Sequence, residues 1–217
     1  IQALAAVGYI PATESWATPG GNPHTALLSF RQPDGSFGAS SSAVLATAHA
    51  IAGLAEAPLP TLGRAQRANR ALTWVQEQQF DNGSWGTAGQ TLDVMLAFAA
   101  AGYDPASITS QGNSPLDYLE TEVFTYTHDD AGMVAIAQTG KTILGLVAAG
   151  QDPYAFGAYP PRHTLVGQPL NLVWDLLSTY HAETGAFSTT VTYAQWQAWA
   201  MLGLLSLIHI SEPTRPY

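Results

Sequence analysis

The chain has 217 residues, of which 47% are apolar and only 11% charged, so it can fill a buried core and lacks the composition of a disordered protein. Sixteen acidic against seven basic side chains give a net charge of -9, which disfavours binding to nucleic acid and to anionic membrane surfaces. The sequence contains no cysteine, which excludes disulfides, thiolate nucleophiles and cysteine-ligated zinc.

The sequence also bears on where the protein resides. No apolar stretch reaches the roughly 20 residues that a membrane-spanning helix needs. Lys141 is the only lysine among many Ala, Gly, Thr and Ser residues, a bias typical of exported bacterial proteins. We therefore expect a secreted or cell-surface protein. Ile1 is neither a start methionine nor part of a signal peptide, so we expect the N-terminus to be cut.

Four turn signals recur along the chain, each with a glycine that is followed two positions later by an aromatic or apolar residue. They read QPDGSFG, QFDNGSWG, HDDAGMV and ETGAFS, and their glycines are Gly35, Gly83, Gly132 and Gly185. Successive glycines are 48, 49 and 53 residues apart. This period fits a repeat of one helical hairpin.

The segments that flank these turns predict two kinds of helix. Before the second turn, 67–79 places Leu72, Val75 and Gln79 on one face at helical spacing, which predicts an outer helix. After each turn comes an Ala-rich segment that is apolar around most of its circumference, which predicts buried inner helices at 44–57, 91–102, 134–150 and 193–204. Gly followed by Pro ends such helices in 5–11, 99–105 and 147–153, so we expect the chain to begin inside an inner helix and to hold about four further hairpins.

The second turn carries Gln79, Gly83 and Trp85 in the order of the QW motif of squalene and oxidosqualene cyclases. The first turn has Phe37 in place of the Trp, the third has lost both Gln and aromatic residue, and the fourth has Glu in place of the Gln. On these motifs 1–204 resembles the prenyltransferase and squalene-cyclase repeat proteins. The resemblance implies an all-α fold, an α/α toroid of alternating inner and outer helices, of which this chain would form a partial ring of about four hairpins.

Residues 205–217 are set apart from this repeat domain. Leu205 to Arg215 reads LSLIHISEPTR, which is the translation of one frame of a transposase-type sequencing adapter. We expect 205–217 to be a non-native tail and the natural chain to be interrupted at both ends. His209 and Arg215 are therefore excluded as functional candidates.

The catalytic motifs of the proteins that this chain resembles are missing. Class II terpenoid cyclases protonate their substrate with a DxDD motif, and the nearest match here, 127–130, has Thr127 in place of the first Asp. Protein prenyltransferases hold zinc with Asp, Cys and His, and the Cys is absent. The six histidines show no metal-ligand spacing, and each is predicted to lie in a turn or at the surface. The sequence thus predicts no catalytic residue, no metal and no cofactor.

Two charged residues stand on otherwise apolar inner helices. Asp93 lies nine residues before Gly102 and Lys141 nine residues before Gly150, so they occupy matching positions on consecutive inner helices. They are interpreted either as a partly buried ion pair that fixes the register of two repeats or as groups that line the central cavity and contact a ligand. The other cavity candidates are Thr91, Gln138, Tyr193, Gln195, Trp196 and the motif residue Trp85, although packing between repeats explains Trp85 without a ligand.

Three functions are compatible with these features. The preferred one is a non-catalytic, exported toroid that binds a small-molecule ligand or a partner domain, similar to the α-domains of cobalamin carriers, which pair a toroid with a C-terminal β-domain. The second is a fragment of a terpenoid cyclase or prenyltransferase-type enzyme that lacks its catalytic repeat. The third is a glycoside hydrolase or polysaccharide lyase with Asp129, Asp130 and Glu183 as turn-borne carboxylates.

Overall fold

The protein is described here by a computed structural model that covers residues 18–38, 42–55, 62–188 and 193–208. The stop signal at 5–11, His209 and Arg215 lie outside these residues. The chain divides into two compact units, with the boundary between Gly112 and Asn113. Within the described residues no helix is both long and apolar enough to cross a membrane.

The regular elements in the described part of the first unit are helices. In chain order they are α1 (Pro23–Ser29), α2 (Ala43–Ala55), α3 (Leu62–Glu77), α4 (Ala88–Ala100) and a short 3₁₀ helix (Pro105–Ser107). Helix α4 begins with a capping box, because Thr87 accepts a hydrogen bond from the Gln90 backbone and the Gln90 side chain accepts one from the Thr87 backbone. Helix α2 packs against both α3 and α4.

The core of the first unit lies between these three helices. It includes the two aromatic residues of the turns, Phe37 and Trp85, together with aliphatic side chains from each helix, among them Ile51 and Leu54 of α2, Val75 of α3 and Val94 of α4. The turns therefore contribute directly to the core.

Among its described residues, the second unit contains four α-helices and one small hairpin. The helices are α5 (Pro115–Thr127), α6 (Ile136–Ala148), α7 (Leu172–Ser178) and α8 (Ala194–Ile208). Between α7 and α8, β1 (Tyr180–His181) pairs antiparallel with β2 (Ala186–Phe187), with Tyr180 opposite Phe187. Helix α6 packs against α5, α7 and α8.

Helices α6 and α8 cross where both carry a glycine. A Cβ atom built on Gly140 would lie 2.6 Å from the Ala200 Cα atom, and one built on Gly203 would lie 2.8 Å from the Gly140 Cα atom. Since real Cβ atoms do not approach other atoms so closely, only glycine at both positions permits this backbone contact.

The four turn glycines share one backbone conformation. Their φ angles are 103° at Gly35, 86° at Gly83, 77° at Gly132 and 70° at Gly185, all in the left-handed region that side chains disfavour. At Gly35 a side chain would also meet the Arg70 carbonyl oxygen at 2.9 Å. The turns thus favour glycine at the positions from which the sequence period was measured.

Three of these turns are tied to the helix that follows by a side chain of that helix. The Phe37 N–H donates to Thr47 Oγ1 at 2.9 Å and the Trp85 N–H donates to Thr91 Oγ1 at 3.1 Å. In the fourth turn Gln197 takes this place: its Oε1 accepts from the Phe187 N–H at 2.8 Å and its Nε2 donates to the Phe187 carbonyl oxygen at 2.6 Å. Each aromatic residue is thereby held at the start of a helix.

The mainly helical fold predicted from the sequence is confirmed. The helices predicted at 44–57, 91–102, 134–150 and 193–204 correspond to α2, α4, α6 and α8, with 56–57 outside the described residues. The burial predicted for 193–204 is wrong, because α8 packs on α6 along one face and only Ala200 and Gly203 of it are buried. The strand pair β1–β2 departs from a purely α-helical fold, because residues 182–185 form a turn short enough to pair the residues on either side of it. Helix α8 continues past Leu204 to Ile208, so the first four residues of the predicted tail are helical.

Candidate functional site

Two of the residues predicted to line a cavity lie in the core of the first unit. Trp85 is 4% exposed, its Nε1–H donates to the Val75 carbonyl oxygen at 2.7 Å, and its ring centroid lies 6.1 Å from that of Phe98. Thr91 is fully buried and accepts the Trp85 backbone hydrogen bond. These contacts give both residues a structural part in holding the turn against α3 and α4.

The glutamine of the QW-like motif has a similar part. Gln79 Nε2 donates to the Gly83 carbonyl oxygen at 2.9 Å and lies 3.3 Å from the Ile108 carbonyl oxygen, to which it also donates. The side chain therefore connects the end of α3 with the turn and with the segment after the 3₁₀ helix.

The two charged candidates belong to different units and are described separately. Asp93 is half-buried on α4 of the first unit, whereas Lys141 is half-buried on α6 of the second, with its Nζ atom 5.7 Å from the ring centroid of Trp199. Gln138 is also half-buried on α6. The contact between Asp93 and Lys141 stays a prediction.

The remaining candidates lie at the start of α8. Tyr193, Gln195 and Trp196 are exposed, and the Tyr193 and Trp196 ring centroids are 5.3 Å apart. The described contacts thus join Trp85 with Thr91 and Tyr193 with Trp196, rather than joining the predicted candidates into one site.

A cavity that the sequence did not indicate lies in the second unit, at the C-terminal end of α5. Its volume is about 470 Å³, and its walls are the end of α5, the turn 129–132 and the loop 160–163. The side chains with polar or aromatic character that line it are Phe124, Thr125, His128, Asp129, Asp130, Arg162 and His163. This volume falls within the range of small-molecule sites.

A buried hydrogen-bond network lies behind His128, which lines this cavity. Asp175 of α7 is 4% exposed, and both of its carboxylate oxygens accept from the Tyr159 hydroxyl, at 2.9 and 3.0 Å. His128 Nε2 lies 3.5 Å from Asp175 Oδ2, and the Nδ1 atom lies 3.0 Å from Thr127 Oγ1. Each of these polar groups has a partner inside the protein, as burial requires.

The environment of Tyr159 keeps its hydroxyl neutral. Burial, followed by the hydrogen bond to Asp175 and the charge of that carboxylate, raises the pKa of Tyr159 to about 12. Tyr159 is therefore a hydrogen-bond donor to Asp175 at every physiological pH.

Aromatic rings hold the network in place. Phe124 stacks on His128 with 4.3 Å between ring centroids, and Tyr159 stacks on His163 with 4.5 Å between them. The edge of Phe124 also approaches His163, at 5.7 Å. Four rings thus pack as one cluster, and two of them, Phe124 and His163, are half-buried where they line the cavity.

The burial of His128 corrects the prediction that every histidine lies in a turn or at the surface. His128 is 6% exposed and His24 is fully buried. His128 follows directly after α5, and its ring packs on Phe124 one turn earlier in that helix, which a turn motif alone does not indicate. Asp129 and Asp130, by contrast, are exposed as predicted for a solvated turn.

One sequence feature does point to the network. Asp175 is the only charged residue in NLVWDLL, and a charge in an apolar helix needs a buried partner. The identity of that partner is not visible in the sequence, because Tyr159 lies 16 residues away in a loop without periodicity. Throughout the part of the chain that the structure describes, no three His, Asp or Glu side chains are placed to hold a metal ion.

Comparisons with protein-family models, with curated proteins and with solved structures find no match to this chain. The geometry of the cavities is therefore the basis for proposing a function.

Proposed function

We propose that this chain is a non-catalytic, exported α/α-toroid repeat protein that binds a small molecule, and that the cavity beside α5 is its binding site. The observation that carries the proposal is the Tyr159–Asp175–His128 network under the cavity wall. It fixes the rings that face the cavity before any ligand arrives, and such preorganisation lowers the cost of binding.

The same network argues for binding rather than catalysis. A general acid or base must reach a substrate atom, whereas both ring nitrogens of His128 face partners inside the protein, Thr127 and Asp175. Asp129 Oδ1 accepts the N–H groups of Ala131 and Met133 at 2.9 and 2.8 Å, so this carboxylate stabilises its own turn. These contacts favour the binding function over the glycoside hydrolase and terpenoid cyclase alternatives.

The toroid part of the proposal rests on the turns. Four glycines at a near-constant spacing have positive φ angles, and three turns are tied by a side chain to the helix that follows. Recurrence of one turn device is what a repeat architecture predicts. The proposal of export rests on the single lysine and the acidic composition. A partner domain, such as a β-domain, is the alternative binding partner to a small molecule.

Ligand binding can be tested by filling the cavity. Thr125 is an exposed residue of α5 that lines the cavity, so Thr125→Trp places an indole ring in it. Thr121→Trp is the matched control, because Thr121 is exposed one turn earlier on the same helix and does not line the cavity.

The probes are benzoate, benzylamine and phenylalanine, which offer an aromatic ring with an anionic, a cationic and a zwitterionic group to Arg162, Asp129 and Asp130. We expect saturation-transfer NMR to show binding of at least one probe to the natural sequence and to Thr121→Trp, and loss of that signal with Thr125→Trp. Absence of binding by all three probes, or equal binding by both variants, contradicts the proposal.

A further inference from the structure

We propose that a second cavity in the second unit, bounded by α7 and the loop 154–171, is a binding site for a neutral saccharide. Its volume is about 450 Å³, and it is lined by Tyr154, Ala155, Tyr159, Leu165, Gln168, Pro169, Asn171 and Trp174. The inference goes beyond the proposed function, because it rests on different lining residues from those of the cavity beside α5.

Two aromatic side chains on this cavity are unusually open to solvent. Trp174 is 61% exposed and Tyr154 is 51% exposed. Single exposed aromatic residues need no explanation, but two on the rim of one concavity provide a platform. The C–H groups on one face of a pyranose ring carry partial positive charge and lie favourably on the electron-rich face of such rings.

Two amide side chains provide the polar part of the site. Asn171 Oδ1 accepts the Trp174 backbone N–H at 2.8 Å as the N-cap of α7, which fixes the orientation of that amide. The backbone of Gln168 is also fixed, since its N–H donates to the Leu165 carbonyl oxygen at 3.0 Å and its C=O accepts from the Tyr159 N–H at 3.1 Å. Side-chain amides both donate and accept hydrogen bonds, as do sugar hydroxyls.

The absence of charge selects the ligand class. None of the described side chains that line this cavity is charged, whereas the cavity beside α5 has Asp129, Asp130 and Arg162 on its walls. The Tyr159 hydroxyl, which belongs to a lining residue, is committed to Asp175. A phosphate, carboxylate or ammonium group would lose its hydration without gaining a counter-charge, so an uncharged polyhydroxylated ligand fits this site.

The walls of the cavity are held by backbone contacts. Residues Ala158 and Pro169 form a β-bridge, the Phe156 N–H donates to the Leu170 carbonyl oxygen at 3.2 Å, and the Leu170 N–H donates to the Gly157 carbonyl oxygen at 3.2 Å. The loop therefore carries its own ladder, which presents Tyr154 and Gln168 in a fixed relation to α7.

The test is an NMR titration of the protein with cellotetraose, maltotetraose and N-acetylated chitotetraose. At least one should bind with a Kd of about 1 mM or tighter, and Trp174→Ala should weaken that binding at least about tenfold. Phe30→Ala is the matched control, since it removes a ring that is 66% exposed in the first unit and should leave the Kd unchanged. Gln168→Ala should weaken binding while the circular dichroism spectrum stays that of the natural sequence.

Co-sedimentation with insoluble cellulose, starch and chitin distinguishes a polysaccharide surface from a free oligosaccharide as the source of the sugar. Sedimentation that Trp174→Ala abolishes assigns the site to a polysaccharide, and oligosaccharide binding without sedimentation assigns it to free sugar. If none of the three oligosaccharides binds up to about 10 mM, or if Trp174→Ala and Phe30→Ala behave alike, the inference is wrong. The aromatic probes of the cavity beside α5 report on the proposed function separately.

Discussion

Gly140 of α6 and Gly203 of α8 lie backbone against backbone, so that a Cβ atom on Gly203 would come within 2.8 Å of the Gly140 Cα atom. Gly203→Ala must push the two helices apart, and we expect it to lower the free energy of unfolding by about 1–3 kcal/mol. Urea unfolding followed by circular dichroism measures the effect.

The control is Gly20→Ala, because a Cβ atom there meets nothing nearer than Thr18 Oγ1 at 3.7 Å. It should change the free energy of unfolding by less than about 0.5 kcal/mol. Equal effects of the two substitutions would show that α6 and α8 do not cross at their glycines.

The hydroxyl of Tyr159 is the strongest partner of Asp175. Tyr159→Phe removes it and, among the side chains that the structure describes, leaves the buried carboxylate with His128 alone, at 3.5 Å. We expect a loss of about 1.5–3 kcal/mol in the free energy of unfolding, the range for hydrogen bonds to charged groups. The control is Tyr154→Phe, which deletes a hydroxyl from a ring that is half exposed and should leave the free energy of unfolding nearly unchanged. If Tyr159→Phe left the free energy of unfolding unchanged, the network would not support the cavity wall.

Trp85 tests whether the QW-like motif is structural. Trp85→Phe keeps a ring beside Phe98 but deletes the Nε1–H that donates to the Val75 carbonyl oxygen, so it should cost about 1–2 kcal/mol of stability. Trp85→Ala also leaves a cavity and should cost about 3–5 kcal/mol. Thermal unfolding ranks the variants, and if neither lowers Tm the core position of Trp85 is refuted.

Acid should weaken the start of α5. Asp117 Oδ2 accepts the Ser114 N–H and hydroxyl, both at 2.7 Å, and these bonds lower the pKa of Asp117 below its ordinary value of 3.8. The depressed pKa means that the carboxylate contributes stability above pH 3.8, and that this contribution is lost as the pH falls through the folded-state pKa.

Asp117→Asn should therefore lower the urea midpoint at pH 6 and flatten its decline between about pH 4 and pH 2. Glu120→Gln removes a charge from an exposed position on the same helix and should leave that decline in place. Parallel pH profiles for Asp117→Asn and the natural sequence would disprove the capping contribution.

The positions of the helices follow from local sequence patterns. Glycine adopts positive φ more readily than any other residue, so the turn glycines mark the starts of α2, α4, α6 and α8 without tertiary information. Apolar periodicity identifies α3 as a helix, since Leu72 and Val75 are buried on the face that their spacing predicts.

The cavities did not follow from the sequence, for a physical reason. Both cavities draw part of their walls from 153–171, where periodicity is absent and position is set by bonds such as Leu170 N–H to the Gly157 carbonyl oxygen. Repeat patterns report on what recurs, whereas Tyr159, Asp175 and Trp174 occur once. Thr91, a candidate chosen from an inner-helix position, instead accepts a backbone N–H of the turn before its helix.

The bonds from turn amides to the following helices span only 10, 6 and 10 residues at Phe37, Trp85 and Phe187. Such short loops close at little entropic cost, so each hairpin can form its own turn early in folding, without waiting for distant parts of the chain. The amide protons of these residues should then exchange with solvent at the rate at which single hairpins open. Folding of this protein is accordingly expected to advance hairpin by hairpin.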